Sequence, residues 1–217
     1  MTTQIATDTE LSAVNSILGS IGQSPVTAIN FVNPELKFIY NIFEEVTKDV
    51  CNEGWHFNTE EHVKKEPLTV APLKFIPIEN NALRYDVSDG QHLRTQDVIR
   101  KYYNNVAYLY DKNKASRIDT TNAGFEFDEH VHLDIVYLRS FVEIPPVFQR
   151  YIIAKASSRA AAQLVANPQL VQLLEKQEAS TRASVMEYEC QHGDPSYLGW
   201  PAGRSYGSYQ PYRALIR

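Results

Sequence analysis

The sequence predicts an α+β chain: an antiparallel four-helix bundle built from the N- and C-terminal segments, a β-rich central insertion, and an extended C-terminal arm. Three observations predict it. Apolar residues recur with the 3.6-residue period of a helix at both ends, but with the period of 2 of a strand between Trp55 and about Ser140. The pair Asn-Pro, a helix cap followed by a residue preset for the first turn, occurs at Asn33-Pro34 and again at Asn167-Pro168. After Gly193-Asp194-Pro195 the composition turns to aromatics, Gly, Ser, Pro and Arg without a single acid. Helices that come in pairs from opposite ends satisfy their apolar faces by packing together, so the middle is an insertion. The expected boundaries are 1–54 and 143–192 for the discontinuous bundle, 55–142 for the insert and 193–217 for the arm.

Thr7-Asp8-Thr9-Glu10 fits a capping box, with Thr7 as the cap and Glu10 reaching back to it. Leu11, Val14, Leu18 and Ile21 then share a face, Gly22 can take the left-handed conformation that ends a helix, and Pro25 prevents its resuming. From Asn33-Pro34, the stripe Leu36, Ile39, Phe43, Val46 and Val50 predicts a second helix of about five turns that stops at Gly54.

In the insert, Pro67, Pro72 and Pro77 confine strands to short edges. Ile99–Tyr103 and Val106–Tyr110 flank Asn104-Asn105, two residues that tolerate positive φ, which predicts a tight hairpin with tyrosines on its faces. Val131, Leu133 and Ile135 alternate with His130, His132 and Asp134, the pattern of a strand with one buried face. Pro145-Pro146 returns the chain to helix, with Ile153, Ala156, Ala160 and Leu164 on one face. The last helix, from about Gln169 to Gln191, turns Leu170, Leu173, Leu174, Val185 and Tyr188 inward, while Gln177 and Thr181 interrupt the stripe and suggest a second partner.

At 217 residues the chain is long enough to bury a core without staples, and Cys51 and Cys190 match no zinc or CxxC spacing, so both are expected as free thiols. The first residues lack the pattern of a signal peptide, and no apolar run approaches the roughly 20 residues that span a bilayer. The expectation is a soluble protein without a membrane anchor. A net charge of −5 removes the general attraction to nucleic-acid phosphates. Thirteen tyrosines against nine glycines point instead to contact surfaces between proteins.

Asp128, His130, His132 and Asp134 project to one side of a strand, and His-x-His is a workable metal pair. Alternation with the apolar residues already accounts for them as a solvent face, and no third ligand is identifiable, so no metal is expected. Glu44, Glu45, Glu60 and Glu61 are the acids that a glycan hydrolase would draw on, since that chemistry needs two carboxyls about 5–9 Å apart across a sugar. GxSxG, P-loop and dinucleotide fingerprints are absent. The reading is therefore non-catalytic, with no catalytic residue, cofactor or metal. In the arm, Tyr197, Trp200, Arg204, Tyr206, Tyr209, Tyr212 and Arg213 admit three readings: a disordered end, a single-strand nucleic-acid contact by stacking, or a docking arm for a protein partner. The last is favoured because Tyr, Trp and Arg dominate interface energy.

Several stretches together resemble the tail tubular protein A family of short-tailed bacteriophages. They are Glu10-Leu11-Ser12-Ala13-Val14-Asn15, Ile21-Gly22 with Pro25-Val26, Gly54-Trp55-His56-Phe57-Asn58, Ile135-Val136-Tyr137-Leu138-Arg139 followed by Ile144-Pro145, Tyr151-Ile152-Ile153-Ala154-Lys155-Ala156-Ser157, and Met186-Glu187-Tyr188-Glu189. The likeness covers nearly the whole chain except Glu60 to Arg117 and the end after Gln191. It implies a structural virion protein assembled in the bacterial cytoplasm: a head-to-tail adaptor of twelve copies, a gatekeeper ring between the portal and the tail nozzle (tail tubular protein B). The implied ring touches a tail fibre and passes double-stranded DNA without specific binding. The alternative from another class is a tail-associated glycan hydrolase acting on host envelope or capsular polysaccharide.

Overall fold

The computed structural model describes residues 9–70, 73–88, 97–117 and 123–192. The chain is a mixture of helices and small antiparallel sheets, an α+β fold, and divides into two compact units. One comprises the chain up to Phe57 and again from Leu138 to the last described helix; the other spans Asn58–Tyr137.

In the helical unit, α1 (Glu10–Ser20) is capped by Thr9, whose Oγ1 accepts the Ser12 N–H at 3.3 Å. The expected cap at Thr7 is corrected by two residues: with Glu10 already helical, Thr9 is the last extended residue before the first turn. Ala13, Val14, Ile17 and Leu18 are buried. The helix ends as Gly22 predicts, at φ +81°, with the Gly22 N–H on the Gly19 carbonyl at 3.1 Å and the Gln23 N–H on the Leu18 carbonyl at 2.9 Å.

Asn33 caps α2 (Pro34–Asn52), its Oδ1 accepting the Glu35 N–H at 3.0 Å. All five stripe residues are buried, joined by Ile42 and Cys51. Gly54, at φ +79°, follows the end of the helix. Trp55 then folds back, donating Nε1–H to the Val50 carbonyl at 2.8 Å, and packs with Phe57 against Phe148.

The helix after Pro145, α4 (Pro146–Ala160), departs from the one-face expectation. Phe148, Tyr151, Ile152, Ala156 and Ala160 are buried together, Ile153 is only half-buried, and Leu164 is exposed. The reason is position: α4 packs on α1 and α2 and also on α5 (Pro168–His192), so it needs apolar or small residues nearly all round. Beyond Ala160 the backbone widens into a π turn, Ala161–Val165, and closes at Ala166 in the left-handed region at φ 51°. Asn167 restarts the chain as α5, its Oδ1 accepting the Gln169 N–H at 3.0 Å. On α5 only Leu174 and Val185 are fully buried; Leu170 and Tyr188 are half-buried, and Leu173, expected inward, is 64% exposed. One supporting helix sees only a narrow strip of α5.

In the second unit β7 (Val131–Tyr137) is the centre of a three-stranded antiparallel sheet, flanked by β1 (Thr59–Lys65) and β4 (Ala82–Val87). Val131, Leu133 and Ile135 are buried as their alternation predicts. Two hairpins complete it: β2 (Leu68–Val70) with β3 (Leu73–Phe75), and β5 (Val98–Tyr103) with β6 (Val106–Asp111). Asn104 and Asn105 sit at φ 50° and 63° between paired Tyr103 and Val106, the predicted two-residue turn. Pro67 and Pro77 lie just outside strands, while Pro72 is outside the described residues. The core gathers Ile76, Val87, Val98, Leu109, Phe127 and the inner face of β7. A short helix absent from the sequence reading, α3 (Lys112–Arg117), follows β6. Its signal was present: buried Asp111 is the cap, its Oδ1 accepting the N–H groups of Asn113 at 2.8 Å and Lys114 at 3.3 Å.

Candidate interaction surfaces

The outer side of β7 carries a constellation that imitates catalysis. β1 bulges between Glu60 and Val63, and His62 takes a positive φ of 57° because its N–H is drawn to Asp134 Oδ1 at 2.8 Å. Ser88, buried after β4, donates its hydroxyl to the same Oδ1 at 2.5 Å and is in contact with His62 Nδ1. In a nucleophilic triad the imidazole stands between serine and acid and takes the serine proton. Here the serine stands between imidazole and acid, and its proton already points at the carboxylate. The three residues pin the bulge. His130 and His132 stack edge to face, 5.1 Å between centroids. Among the described residues no group of His, Cys, Asp or Glu has the arrangement to hold a metal ion.

The hydrolase candidates are distributed in the same undramatic way. Glu44 pairs with Lys48 at 3.6 Å along one helix, Glu45 shares Arg159 with Asp49, and Glu60 and Glu61 are exposed on β1. No finding favours the glycan hydrolase. Cys51 and Cys190 are free thiols, the first buried and the second exposed, and burial pushes the Cys51 thiol up against the weaker pull of Arg139.

The polar interruption of α5 has an internal use that sequence reasoning missed. Arg182 donates to Glu53 Oε2 at 3.0 Å and to the hydroxyl of buried Tyr151 at 2.8 Å, and lies over the Trp55 and Tyr151 rings at 5.9 and 5.5 Å. Glu189 accepts the His56 N–H at 2.8 Å, and Thr181 bonds back to the Gln177 and Glu178 carbonyls. Much of the polarity of α5 is thus spent inside the unit.

The hairpin tyrosines are likewise mostly occupied. Tyr103, Tyr108 and Tyr110 close on Phe75 and Phe125 with centroid separations of 4.9–5.7 Å, and Lys101 caps the Tyr110 ring at 3.5 Å. Tyr102, on the other face, remains 67% exposed. In the helical unit the large exposed apolar side chains include Phe31, Val32 and Phe38 at the start of α2, and Leu164, Val165 and Leu173 around the α4–α5 turn. Tyr197, Trp200, Arg204, Tyr206, Tyr209, Tyr212 and Arg213 lie outside the described residues. Among the described residues no helix is long and apolar enough to cross a membrane.

What this geometry offers is exposed apolar surface on both units. A family model described as tail tubular protein matches residues 11–195, a stretch that begins within α1 and runs past the end of α5. No curated protein matches the chain.

Proposed function

Because the chain belongs to the tail tubular protein family, whose members are structural components of the phage tail, we propose that it is a head-to-tail adaptor. In this reading twelve copies form a ring between the portal and the tail nozzle, the ring lines part of the channel through which the genome leaves, and a tail fibre is a further contact. The ring closes by heterologous contacts, and the helical unit meets the portal. The single observation that carries it is the family match across the helices at both ends and the strands between them.

Other features support the reading without carrying it. Several acids of the described residues take part in pairing and capping, and the net charge of −5 lets double-stranded DNA pass a wall that does not hold it. The arm, with Tyr197, Trp200, Arg204, Tyr206, Tyr209, Tyr212 and Arg213 and no acid, is suited to being received by a partner. Assembly takes place in the bacterial cytoplasm before the tail is complete.

The test is a pull-down with purified portal, using the intact chain and a chain lacking residues 196–217. The shortened chain is expected to keep the helical content of the intact one and to bind portal more weakly. Equal binding by both removes the arm from the reading; absence of binding by the intact chain, with no density for it between portal and nozzle in particle images, removes the adaptor.

A further inference from the structure

We propose that neighbouring copies of this chain join side by side through two different corners of the helical unit, Phe31, Val32 and Phe38 of one copy seated against Leu164, Val165 and Leu173 of the next. This rests on the ring reading above and names the surface that closes the ring.

The two corners lie at the same level. Arg159 pairs with Glu45 and Asp49, while Lys155 pairs with Glu53, so α2 and α4 run antiparallel. Phe38 precedes Glu45 by two turns, and Leu164 follows Arg159 by little more than one; both steps lead toward the same end of the unit, by about 10 and 7 Å. They also lie on different flanks. α4 packs on α1 and α2 with one part of its surface and on α5 with another, and α5 reaches the far end of α2 through Arg182 and Glu53. A ring needs two unlike patches at one height on either side of the subunit, because a self-matching patch closes a pair and stops.

The fold of the chain itself uses each corner only in part: Phe31 sets its ring edge to face on Tyr40 at 5.2 Å and still stays half exposed. Val32 is 85% exposed, and every residue from 162 to 169 is exposed. That second stretch includes the last four residues of the π turn and Ala166 in the left-handed region, which closes the helix onto the Ala161 carbonyl at 3.0 Å and so holds the exposed side chains of Leu164 and Val165 in a fixed turn. Together the six side chains leave roughly 600 Å² of surface open, close to the apolar share of the smaller specific interfaces. Charge permits the approach as well. Each corner is flanked by one exposed acid and one exposed base, Glu35 and Lys37 beside the first and Glu175 and Lys176 beside the second. Copies of a chain carrying −5 therefore meet where neither brings a net charge.

The experiment uses the full chain assembled on purified portal. Val32→Asp and Leu173→Asp alter side chains that contribute little to the folded monomer, so unchanged thermal melting is expected together with a loss of about tenfold or more in ring yield. In a Cys190→Ser background, Phe38→Cys with Leu173→Cys, treated with a bismaleimide linker, should give a ladder of covalent multimers that neither single cysteine gives. Rings that form normally in both Asp variants, or rings without a ladder, overturn the corner assignment and leave the ring. Portal complexes that hold isolated copies of the unaltered chain overturn the ring reading and the corners with it.

Discussion

Asn58 and Tyr137 bond to each other twice: the Asn58 side-chain amide donates to the Tyr137 carbonyl at 2.8 Å, and the Tyr137 N–H donates to the Asn58 carbonyl at 2.8 Å. They are the residues at which the chain enters and leaves the strand unit, and Asn58 is fully buried. Asn58→Ala keeps the backbone bond and removes the side-chain donor to the Tyr137 carbonyl, at a cost of about 1 kcal/mol. Hydrogen exchange should report it first as faster exchange in β1 and β7. Unaltered exchange in both strands would show that the side-chain bond contributes nothing.

Arg182→Ala removes the partner of the Tyr151 hydroxyl, which is buried, along with the exposed pairing to Glu53. The expected loss is about 1–3 kcal/mol in urea unfolding, most of it from the stranded hydroxyl. In a Tyr151→Phe background the same substitution should cost clearly less. Equal costs in both backgrounds would place the effect elsewhere.

Gly124 is a position that admits no side chain. A Cβ there would stand 2.6 Å from the Tyr110 ring and 2.8 Å from the Asp111 carbonyl. Gly124→Ala is expected to destabilise the strand unit by about 1–3 kcal/mol. Adding Tyr110→Leu should recover only part, since the Asp111 carbonyl belongs to the backbone and to the residue that caps α3.

Burial pushes the Glu79 carboxyl up, but hydrogen bonds from Lys65 Nζ and the Tyr137 hydroxyl outweigh it and hold the group below the ordinary glutamate range. A depressed folded value means stability that is complete above the unfolded value and is lost as pH falls through the folded one. The difference in unfolding free energy between the protein and Glu79→Gln should thus be present at neutral pH and fade in acid, below the ordinary glutamate range. Both side chains are partly exposed, so the difference stays within about 1 kcal/mol. A difference that grows in acid would reverse the assignment.

Residues legible from sequence alone are those whose signal and partner are neighbours in the chain. Asn33-Pro34, Asn167-Pro168, Gly22, Gly54 and the Asn104-Asn105 turn stand where the pattern placed them, because capping and positive φ are decided within a turn of backbone. The stripe of α2 and the alternation of β7 were equally plain, each element having one face to bury. The cap of α1 moved by two residues because Thr7 and Thr9 carry the same chemistry and only helix geometry chooses between them.

What only the tertiary structure decided is which surfaces are spent inside the chain and which are left for others. Leu173 and Leu174 read alike in sequence, and a single supporting helix buries one and exposes the other. Arg182 finds Glu53 across 129 positions, and Ser88, His62 and Asp134 meet through a bulge no local pattern announces. The arm residues Tyr197 to Arg213 keep only their chemistry as a guide, since they lie outside the described residues. Sequence by itself determined the α+β character, the starts of α2 and α5 and the stops of α1 and α2, because those rest on local backbone energetics and the period of apolar residues. The exposed corners around Val32 and Leu173 depend on how helices stack, and that is settled by packing over the whole unit.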